Sequence, residues 1–291
     1  MTEPKTLIAT LMPFSVGIAI VLLMGVSIEV IKTLLFLVTA LLIQMATNLV
    51  NDYSDIKKEA LEDIDKNIEE EKEFASIDNV KLYKQTILSL YGVAGIIGFS
   101  LVFFTGLPLL YIGITGVVLS IAYSFGKPPI SYTPFGDLTA GLIMGGLIPL
   151  AIVFINTNLI IWQALVLSIP VIMMVSLILT TNNTSDLERD IKSGRKTLSI
   201  ILGRKNSKNL IIYGSFLAYL VIFINIGTIF HKVSVLSILG LIVAIINIKK
   251  LSKFNFTYEE RPFTMMNISK LTFIIVGIYS LSLIEIYFRM K

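Results

Sequence analysis

Long apolar stretches, separated by charged or turn-forming segments, dominate the pattern of this chain. A helix needs about 20 mostly apolar residues to cross the hydrocarbon core of a bilayer. Nine stretches come close to that length, and we expect each of them to form a membrane-spanning helix. They cover residues 6–26, 33–50, 83–104, 107–125, 138–156, 160–181, 209–229, 233–248 and 271–288. The pattern therefore predicts an all-α, polytopic membrane protein.

The composition agrees with this prediction. Apolar residues make up 55% of the chain and charged residues 15%, and the mean hydropathy is +0.82. Soluble domains carry about 25% charged residues, so this balance indicates a membrane protein. The chain has no cysteine, which excludes disulfides and thiolate chemistry. We expect residues 1–291 to form a single transmembrane domain with no nucleic-acid partner, and we interpret its first apolar stretch as a retained helix rather than a signal peptide.

The basic residues predict the orientation of the chain in the membrane. Lys and Arg are enriched in cytoplasmic loops. Twenty of the 24 basic residues lie in the N-terminal segment and in the loops 51–84, 124–137, 182–208 and 249–270. We therefore expect the N-terminus and these four loops in the cytoplasm. With an odd number of spans, the C-terminus lies outside.

The first candidate site lies where the second apolar stretch meets a charged loop, in the segment NDYSDIKKE. Asn51, Asp52, Asp55 and Glu59 stand at helical spacing, and Asn48 precedes Asp52 by one turn. Charged groups inside a membrane are costly and by default candidates for function. At a helix end this cost falls, so the cluster indicates a polar site at the membrane surface.

The second candidate site, NNTSDLERD, repeats this arrangement four helices later on the same predicted side. Its polar residues are Asn182, Asn183, Asp186 and Asp190. Two acidic clusters that face each other repel unless cations bind between them. Carboxylate and amide oxygens suit Mg²⁺, which commonly bridges to phosphate groups. The alternative is that both clusters are hydrated helix ends with capping residues; the shared spacing and side favour metal binding.

A phosphate ligand also needs positive charge. Lys127 is the only basic residue in its loop, and in YSFGK it follows Tyr123 by what we expect to be one helical turn. Asp137 lies nearby, at the predicted start of the next helix. Three further cations follow the second acidic cluster: Lys192, Arg195 and Lys196. Arg and Lys side chains both bind diphosphate, although these three also suit a role as membrane-surface anchors.

These stretches resemble the motifs of the UbiA superfamily of intramembrane prenyltransferases. NDYSDIKKE resembles the first motif, N-D-x-x-D-x-x-x-D, YSFGK resembles the Y-x-x-x-K element, and DLERD resembles the second motif, D-x-x-x-D. The likeness extends over nearly the whole chain, with Glu59 in place of the last Asp of the first motif. Within the superfamily, NLVNDYSD and NNTSDLERDIKSGRKTLSIILG are most similar to the branch that prenylates 1,4-dihydroxy-2-naphthoate in menaquinone biosynthesis. Asp137 departs from that branch, in which we expect a Glu.

The resemblance implies about nine helices around a central cavity, with a cap on the cytoplasmic side of a prokaryotic cell membrane. Mg²⁺ would join both acidic motifs to a polyprenyl diphosphate, whose prenyl group passes to an aromatic acceptor among the membrane lipids. The implied metal ligands are Asn51, Asp52, Asp55, Glu59, Asp186 and Asp190. The implied diphosphate ligands are Lys127, Asn182, Lys192, Arg195 and Lys196. The implied catalytic residues are Asp55, Asp186, Lys127 and Tyr123, and further possible ligands are Asn48 and Asn183.

Several alternatives fit parts of this pattern. Other acceptors of the superfamily are 4-hydroxybenzoate, haem, chlorophyllide and glycerol-phosphate lipids. An ion-coupled secondary transporter also needs acidic residues in a membrane, but its sites usually lie near the midplane in broken helices rather than at one face. An inert assembly subunit would tolerate replacement of the motif aspartates. We therefore expect a Mg²⁺-dependent prenyltransferase.

Glu59 gives a first testable prediction, because it departs from the motif. Glu59→Asp keeps the charge and the ligand type, so we expect its rate to stay within about tenfold of wild type. Glu59→Gln removes the charge and should raise the Mg²⁺ concentration for half-maximal activity more than Glu59→Asp does. Activity measured against Mg²⁺ concentration tests both variants. Overlapping curves for wild type and Glu59→Gln would remove Glu59 from the site.

Overall fold

The computed structural model describes the backbone of residues 8–62, 77–231 and 233–291, and their side chains except at 51, 52, 54–62, 77–80, 229 and 230. All regular secondary structure in these residues is helical, which confirms the predicted all-α class. The helices are α1 (Ile8–Leu23), α2 (Val30–Glu62), α3 (Ile77–Thr105), α4 (Leu107–Ser124), α5 (Gly136–Thr157), α6 (Gln163–Leu167), α7 (Ile169–Ser185), α8 (Leu187–Lys192), α9 (Leu198–Phe230), α10 (Val235–Leu251) and α11 (Arg261–Met290).

Six of the described helices are long and apolar enough to cross a membrane, namely α2, α3, α4, α5, α9 and α11. Helices α1 and α7 are shorter apolar helices of 16 and 17 residues. Helix α10 has 17 residues, from Val235 to Leu251, and overlaps the predicted stretch 233–248. The polytopic architecture is thus confirmed, whereas nine as the exact number of spans stays a prediction, as do the single domain and the central cavity.

Several helices extend beyond the apolar stretches that predict them. Helix α2 continues to Glu62, α9 begins at Leu198, and α11 begins at Arg261. Hydropathy identifies only the part of a helix that lies in lipid. The helix can continue into water, because water or polar groups can bond the unpaired backbone N–H and C=O groups at its ends. The polar extension of α2 carries the first acidic cluster, from Asn51 to Glu59.

The predicted span 160–181 is interrupted in the structure. Helix α6 ends at Leu167 and α7 begins at Ile169, so two helices replace one. Pro170 stands in the first turn of α7, where its missing N–H costs nothing. A proline inside a continuous helix would instead break a hydrogen bond, so the chain starts a new helix here.

Helix α5 lies at the centre of the bundle. Among the 18 most apolar consecutive residues of α5, 67% are buried, whereas the corresponding share in α3 is 11%. One buried apolar core joins α5 to α1, α7, α9, α10 and α11, and a second joins it to α3 and α4. The polar residues at the N-terminal end of α5 are therefore held by a well-packed scaffold.

A π-helical segment, Gly141–Leu147, lets α5 approach α7 closely. A Cβ atom added at Gly145 would lie 2.6 Å from the Cα atom of Ile172 in α7. Only glycine allows this approach of two backbones. The glycine thus sets the distance between α5, which carries Asp137, and α7, which carries Asn182 and Asn183 of the second acidic cluster.

Replacing Gly145 should therefore destabilise the bundle. We expect Gly145→Ala to lower the free energy of unfolding by about 1–3 kcal/mol, because overpacking moves backbones apart. Gly113 on α4 has nothing within 4 Å of its added Cβ position, so Gly113→Ala is a matched control. Thermal unfolding in detergent measures both; equal unfolding temperatures for the two variants would contradict the packing account.

Candidate functional site

A polar cap closes one end of the bundle. It is formed by the segment 125–135 after α4, the segment 186–197 around α8, and the segment 252–260 before α11. The backbone N–H of Lys196 donates to the carbonyl oxygen of Tyr132 at 2.8 Å, which joins the first two segments. The guanidinium of Arg189 donates to the Tyr258 hydroxyl at 3.0 Å, which joins the second to the third.

The second acidic cluster lies in this cap, at the junction between α7 and α8. Asp186 is the one residue between these helices. Its backbone N–H donates to the carbonyl oxygen of Asn182, and the N–H of Asp190 donates to the carbonyl oxygen of Asp186, both at 2.9 Å. The predicted i, i+4 spacing of the three residues is therefore confirmed across the junction.

Asn182 and Asp186 share one guanidinium, that of Arg261. The Nε atom of Arg261 lies 3.0 Å from Oδ2 of Asp186. Nε and Nη2 donate to Oδ1 of Asn182 at 3.1 and 2.8 Å. The sequence patterns do not single out Arg261; the signal present is Pro262, which favours the first turn of a helix and so places Arg261 at a helix start.

Asp190 pairs with a second arginine. Asp190 is buried, and its Oδ1 lies 3.4 Å from Nε of Arg195. Gly194, at a φ of +71°, ends α8 and turns the chain back, so that the N–H of Arg195 donates to the carbonyl oxygen of Asp190 at 3.0 Å. The guanidinium carbon of Arg195 also lies 4.6 Å from the ring centroid of Tyr132. The turn thus holds Arg195 against both partners.

Asp137 links α5 to α7 beside this cluster. Its carboxylate is buried and accepts hydrogen bonds from Oγ1 of Thr180 at 2.8 Å and from Nδ2 of Asn183 at 2.6 Å. The structure confirms that Asp137 stands in the first turn of a helix. Since Asn183 follows Asn182 directly, this network adds a second set of contacts to the end of α7, beside those of Arg261.

Tyr123 and Lys127 lie differently from the prediction. The half-buried Tyr123 is close enough to Asp137, Asp190 and Arg195 to interact electrostatically, so it joins the cluster. Helix α4 ends at Ser124, and Phe125 after it is extended. The prediction that Tyr123 and Lys127 share a helical turn is therefore wrong. The residue before a proline avoids the helical region, and Pro128 follows Lys127.

Three of the predicted cations have exposed side chains. Lys127, Lys192 and Lys196 are exposed. Lys196 also lines a cavity of about 290 Å³ between two of the cap segments. The cavity is lined by Pro128, Tyr132, Thr133, Pro134, Gly194 and Lys196. Within the described residues, Arg195 is thus the predicted cation that contacts an acidic residue, and the roles of the three lysines stay predictions.

The first acidic cluster stands on a continuous helix. Helix α2 runs through it to Glu62, so the predicted helical spacing is confirmed for the backbone. Thr47, next to the half-buried Asn48, bonds Ser120 of α4 at 2.6 Å, one turn from Tyr123. The end of α2 therefore lies at the same end of the bundle as the cap. The side chains of the remaining cluster residues lie outside the described part: Asn51, Asp52, Asp55 and Glu59.

Arg204 joins α8 to the segment before α11 at the cap. Its guanidinium donates to both carboxylate oxygens of Glu188 at 2.7 and 2.6 Å, and its Nε donates to the carbonyl oxygen of Phe256 at 2.9 Å. The hydrogen bonds from Arg204 hold the pKa of Glu188 below its ordinary value. This pair adds stability above the ordinary pKa of glutamate and loses it as the pH falls through the lowered pKa. Because Glu188 is exposed, the effect is small.

The fold and the cap define an integral, multi-pass membrane protein with a polar site at one end. The UbiA prenyltransferase family matches residues 10–271 of the chain. The chain is 34% identical over 226 residues to the 1,4-dihydroxy-2-naphthoate octaprenyltransferase of Bacillus subtilis, covering 76% of this chain and 70% of that one. It is 27% identical to the protein of the same name from Escherichia coli, covering 71% and 68%. The chain belongs to the UbiA prenyltransferase family.

Solved structures share the fold. A UbiA homologue from Aeropyrum pernix superposes with a TM-score of 0.68 at 12% identity, covering 98% of this chain and 99% of that one. A UbiA homologue from Archaeoglobus fulgidus, bound to GPP and Mg²⁺, gives 0.64 at 13% identity, with 97% of each chain covered. With the family match, the protein is a membrane prenyltransferase rather than an ion-coupled transporter.

The contact between Asn183 and Asp137 gives a testable prediction. Asn183→Asp would place two carboxylates against each other, and a buried charge without a partner costs about 3–5 kcal/mol. We expect a clearly lower unfolding temperature in detergent. The exposed Asn206 provides a control, since Asn206→Asp should change little.

A double variant that exchanges the two side chains tests the same contact more strictly. Asp137→Asn combined with Asn183→Asp restores one amide and one carboxylate, so the double variant should unfold at a higher temperature than Asn183→Asp alone. A double variant no more stable than the single one would show that the contact does not hold α5 to α7.

Proposed function

We propose that this prenyltransferase moves a polyprenyl group from its diphosphate to an aromatic quinone precursor, with 1,4-dihydroxy-2-naphthoate as the acceptor in menaquinone biosynthesis. The observation that carries the proposal is the second acidic cluster, where Asn182, Asp186 and Asp190 lie among arginines at the polar end of an apolar bundle. The names of the two bacterial relatives support this acceptor.

The cluster fits a divalent cation such as Mg²⁺. Its carboxylate and amide oxygens are the ligands that Mg²⁺ prefers, and both carboxylates already lie against cationic groups, Asp186 beside Arg261 and Asp190 beside Arg195. Among the described side chains, no three acidic or histidine residues come together. We therefore assign the remaining ligands to the first cluster: Asn51, Asp52, Asp55 and Glu59. When bound, Mg²⁺ supplies positive charge to the diphosphate.

The residues of the cap suit the departure of a diphosphate. The proposed reaction breaks the bond between the allylic carbon and the diphosphate oxygen, and the bonding electrons leave with the diphosphate. Arg195, aided by Lys127, Lys192 and Lys196, stabilises the negative charge that develops there. Tyr123 and Asn182 orient the diphosphate at the same end.

The apolar interior of the bundle suits the second half of the reaction. The departing diphosphate leaves an allylic carbocation, which water would destroy. The buried apolar residues of α5 and α7 continue from the cap into the membrane, so they exclude water from the prenyl chain. An electron-rich ring carbon of the acceptor then forms the new carbon–carbon bond. The ring regains its aromaticity by losing a proton from that carbon or, where the carbon carries a carboxylate, carbon dioxide.

The loop charges support a location for this chemistry. The cap segments lie within the predicted cytoplasmic loops 124–137, 182–208 and 249–270, and these three loops together carry 13 of the 24 basic residues. We therefore place the site at the cytoplasmic face of a prokaryotic cell membrane, with the N-terminus inside and the C-terminus outside.

Product analysis tests the proposed function. Purified protein receives Mg²⁺, prenyl diphosphates of several lengths and a panel of acceptors: the dihydroxynaphthoate, 4-hydroxybenzoate, haem, chlorophyllide and a glycerol-phosphate lipid. We expect mass spectrometry to detect the prenylated naphthoate product, and excess EDTA to abolish it. Asp55→Asn and Asp186→Asn should each lower the rate at least about a hundredfold, the effect of losing one key electrostatic contact.

Three results would contradict parts of this account. Full turnover in excess EDTA would exclude the metal, and near-normal turnover of either variant would remove that aspartate from the site. Prenylation of another acceptor in preference to the naphthoate would keep the enzyme class but replace the acceptor.

A further inference from the structure

Arg261 binds two side chains that the proposed function assigns as ligands of the metal and of the diphosphate. Its guanidinium binds Oδ2 of Asp186, a proposed metal ligand, at 3.0 Å. The same group donates to Oδ1 of Asn182, a proposed diphosphate ligand, at 2.8 and 3.1 Å. One arginine therefore contacts two of the proposed ligand groups.

The backbone of Arg261 is firmly placed. Helix α11 packs against α1, α7 and α10, and the N–H of Arg261 donates to the carbonyl oxygen of Tyr258 at 3.1 Å. The carboxylate of Glu260 fixes the preceding turn by accepting from the N–H groups of Asn255 and Phe256 at 2.6 and 3.0 Å. The guanidinium stands at the end of a long side chain that is 35% exposed. It can therefore change partners by rotation while its backbone stays in place.

The charge of Arg261 opposes the binding of a metal ion alone. Arginine stays protonated in proteins, so it cannot lose its charge when a second cation arrives. A divalent cation at the Asp186 carboxylate would be repelled by a guanidinium on the same group. A diphosphate reverses this situation, because it accepts hydrogen bonds from arginine as well as binding the metal.

Arg195 differs from Arg261 in its surroundings. Its side chain is only 19% exposed, and its guanidinium lies over the ring of Tyr132 as well as beside Asp190. Arg195 is therefore held on two sides, whereas the described polar contacts of the Arg261 side chain are those with Asn182 and Asp186. Arg261 is the better suited of the two to move from the cluster to a substrate.

We propose that Arg261 determines what the second cluster accepts: the metal together with a diphosphate, rather than the metal alone. In the substrate-free protein Arg261 serves as the counter-ion of Asp186. When the metal and the diphosphate enter together, the guanidinium turns to the diphosphate and Asp186 becomes available to the metal. This inference rests on the proposed function and adds a residue to its substrate site.

Two binding measurements on Arg261→Ala, made without turnover, test the proposal. Electron paramagnetic resonance of Mn²⁺ measures metal binding without diphosphate, and titration with a non-reactive prenyl thiodiphosphate in the presence of Mn²⁺ measures substrate binding. We expect Arg261→Ala to bind Mn²⁺ alone at least about tenfold more tightly and the thiodiphosphate at least about tenfold more weakly, the scale of one charged hydrogen bond. Arg261→Lys should lie between wild type and Arg261→Ala in both.

Arg204→Ala is the matched control, because Arg204 lies in the same cap but binds Glu188 and Phe256 instead of the cluster. It should match wild type in both measurements. A merely structural role of Arg261 would weaken both kinds of binding, and this result, or unchanged binding of either ligand, would overturn the proposal. If the wild type binds no thiodiphosphate in the presence of Mn²⁺, the proposed function itself fails. If the wild type binds the thiodiphosphate but Arg261→Ala does not change the two affinities in opposite directions, only the proposed role of Arg261 is rejected.

Discussion

The pairing of acidic side chains with arginines and amides at the end of α7 is the interaction on which the rest of the site depends. Carboxylates at the end of an apolar bundle are costly unless charge and hydrogen bonds compensate them. Arg261 compensates Asp186, Arg195 compensates Asp190, and Asn183 with Thr180 compensates Asp137. These partners come from α11, from the turn after α8 and from α7 itself. Charge compensation therefore assembles the cap from segments that are distant in the sequence.

Packing in the membrane part decides whether these groups can meet. The contact between Gly145 and α7 brings α5 close enough for Asp137 to reach Asn183. On the other side, α11 packs against α7 and carries Arg261 at its first residue. The apolar core thus positions the polar side chains of the cap. The polar contacts in turn hold together the helix ends, which lie beyond the apolar core.

Hydropathy and helical spacing predict much of this arrangement. The apolar stretches locate the membrane helices because lipid demands about 20 apolar residues per span. The spacing of Asn182, Asp186 and Asp190 predicts their common side because helix geometry is local. Contacts between distant segments are not local, so no pattern predicts the pairing of Arg261 with Asp186. The turn at Lys127 is missed for another reason: Gly126 and Pro128 end the helix, although the residue spacing alone suggests that it continues.

The central claim is that the second acidic cluster holds a divalent metal together with a prenyl diphosphate. Anomalous X-ray diffraction locates Mn²⁺ directly, so crystals of the protein with Mn²⁺ and a prenyl thiodiphosphate give the most direct test. The account predicts an anomalous peak between the ends of α2 and α7, close enough to the carboxylates of Asp186 and Asp190 for them to coordinate the Mn²⁺ ion. A peak elsewhere, or a bound diphosphate with no metal at these two residues, would contradict it.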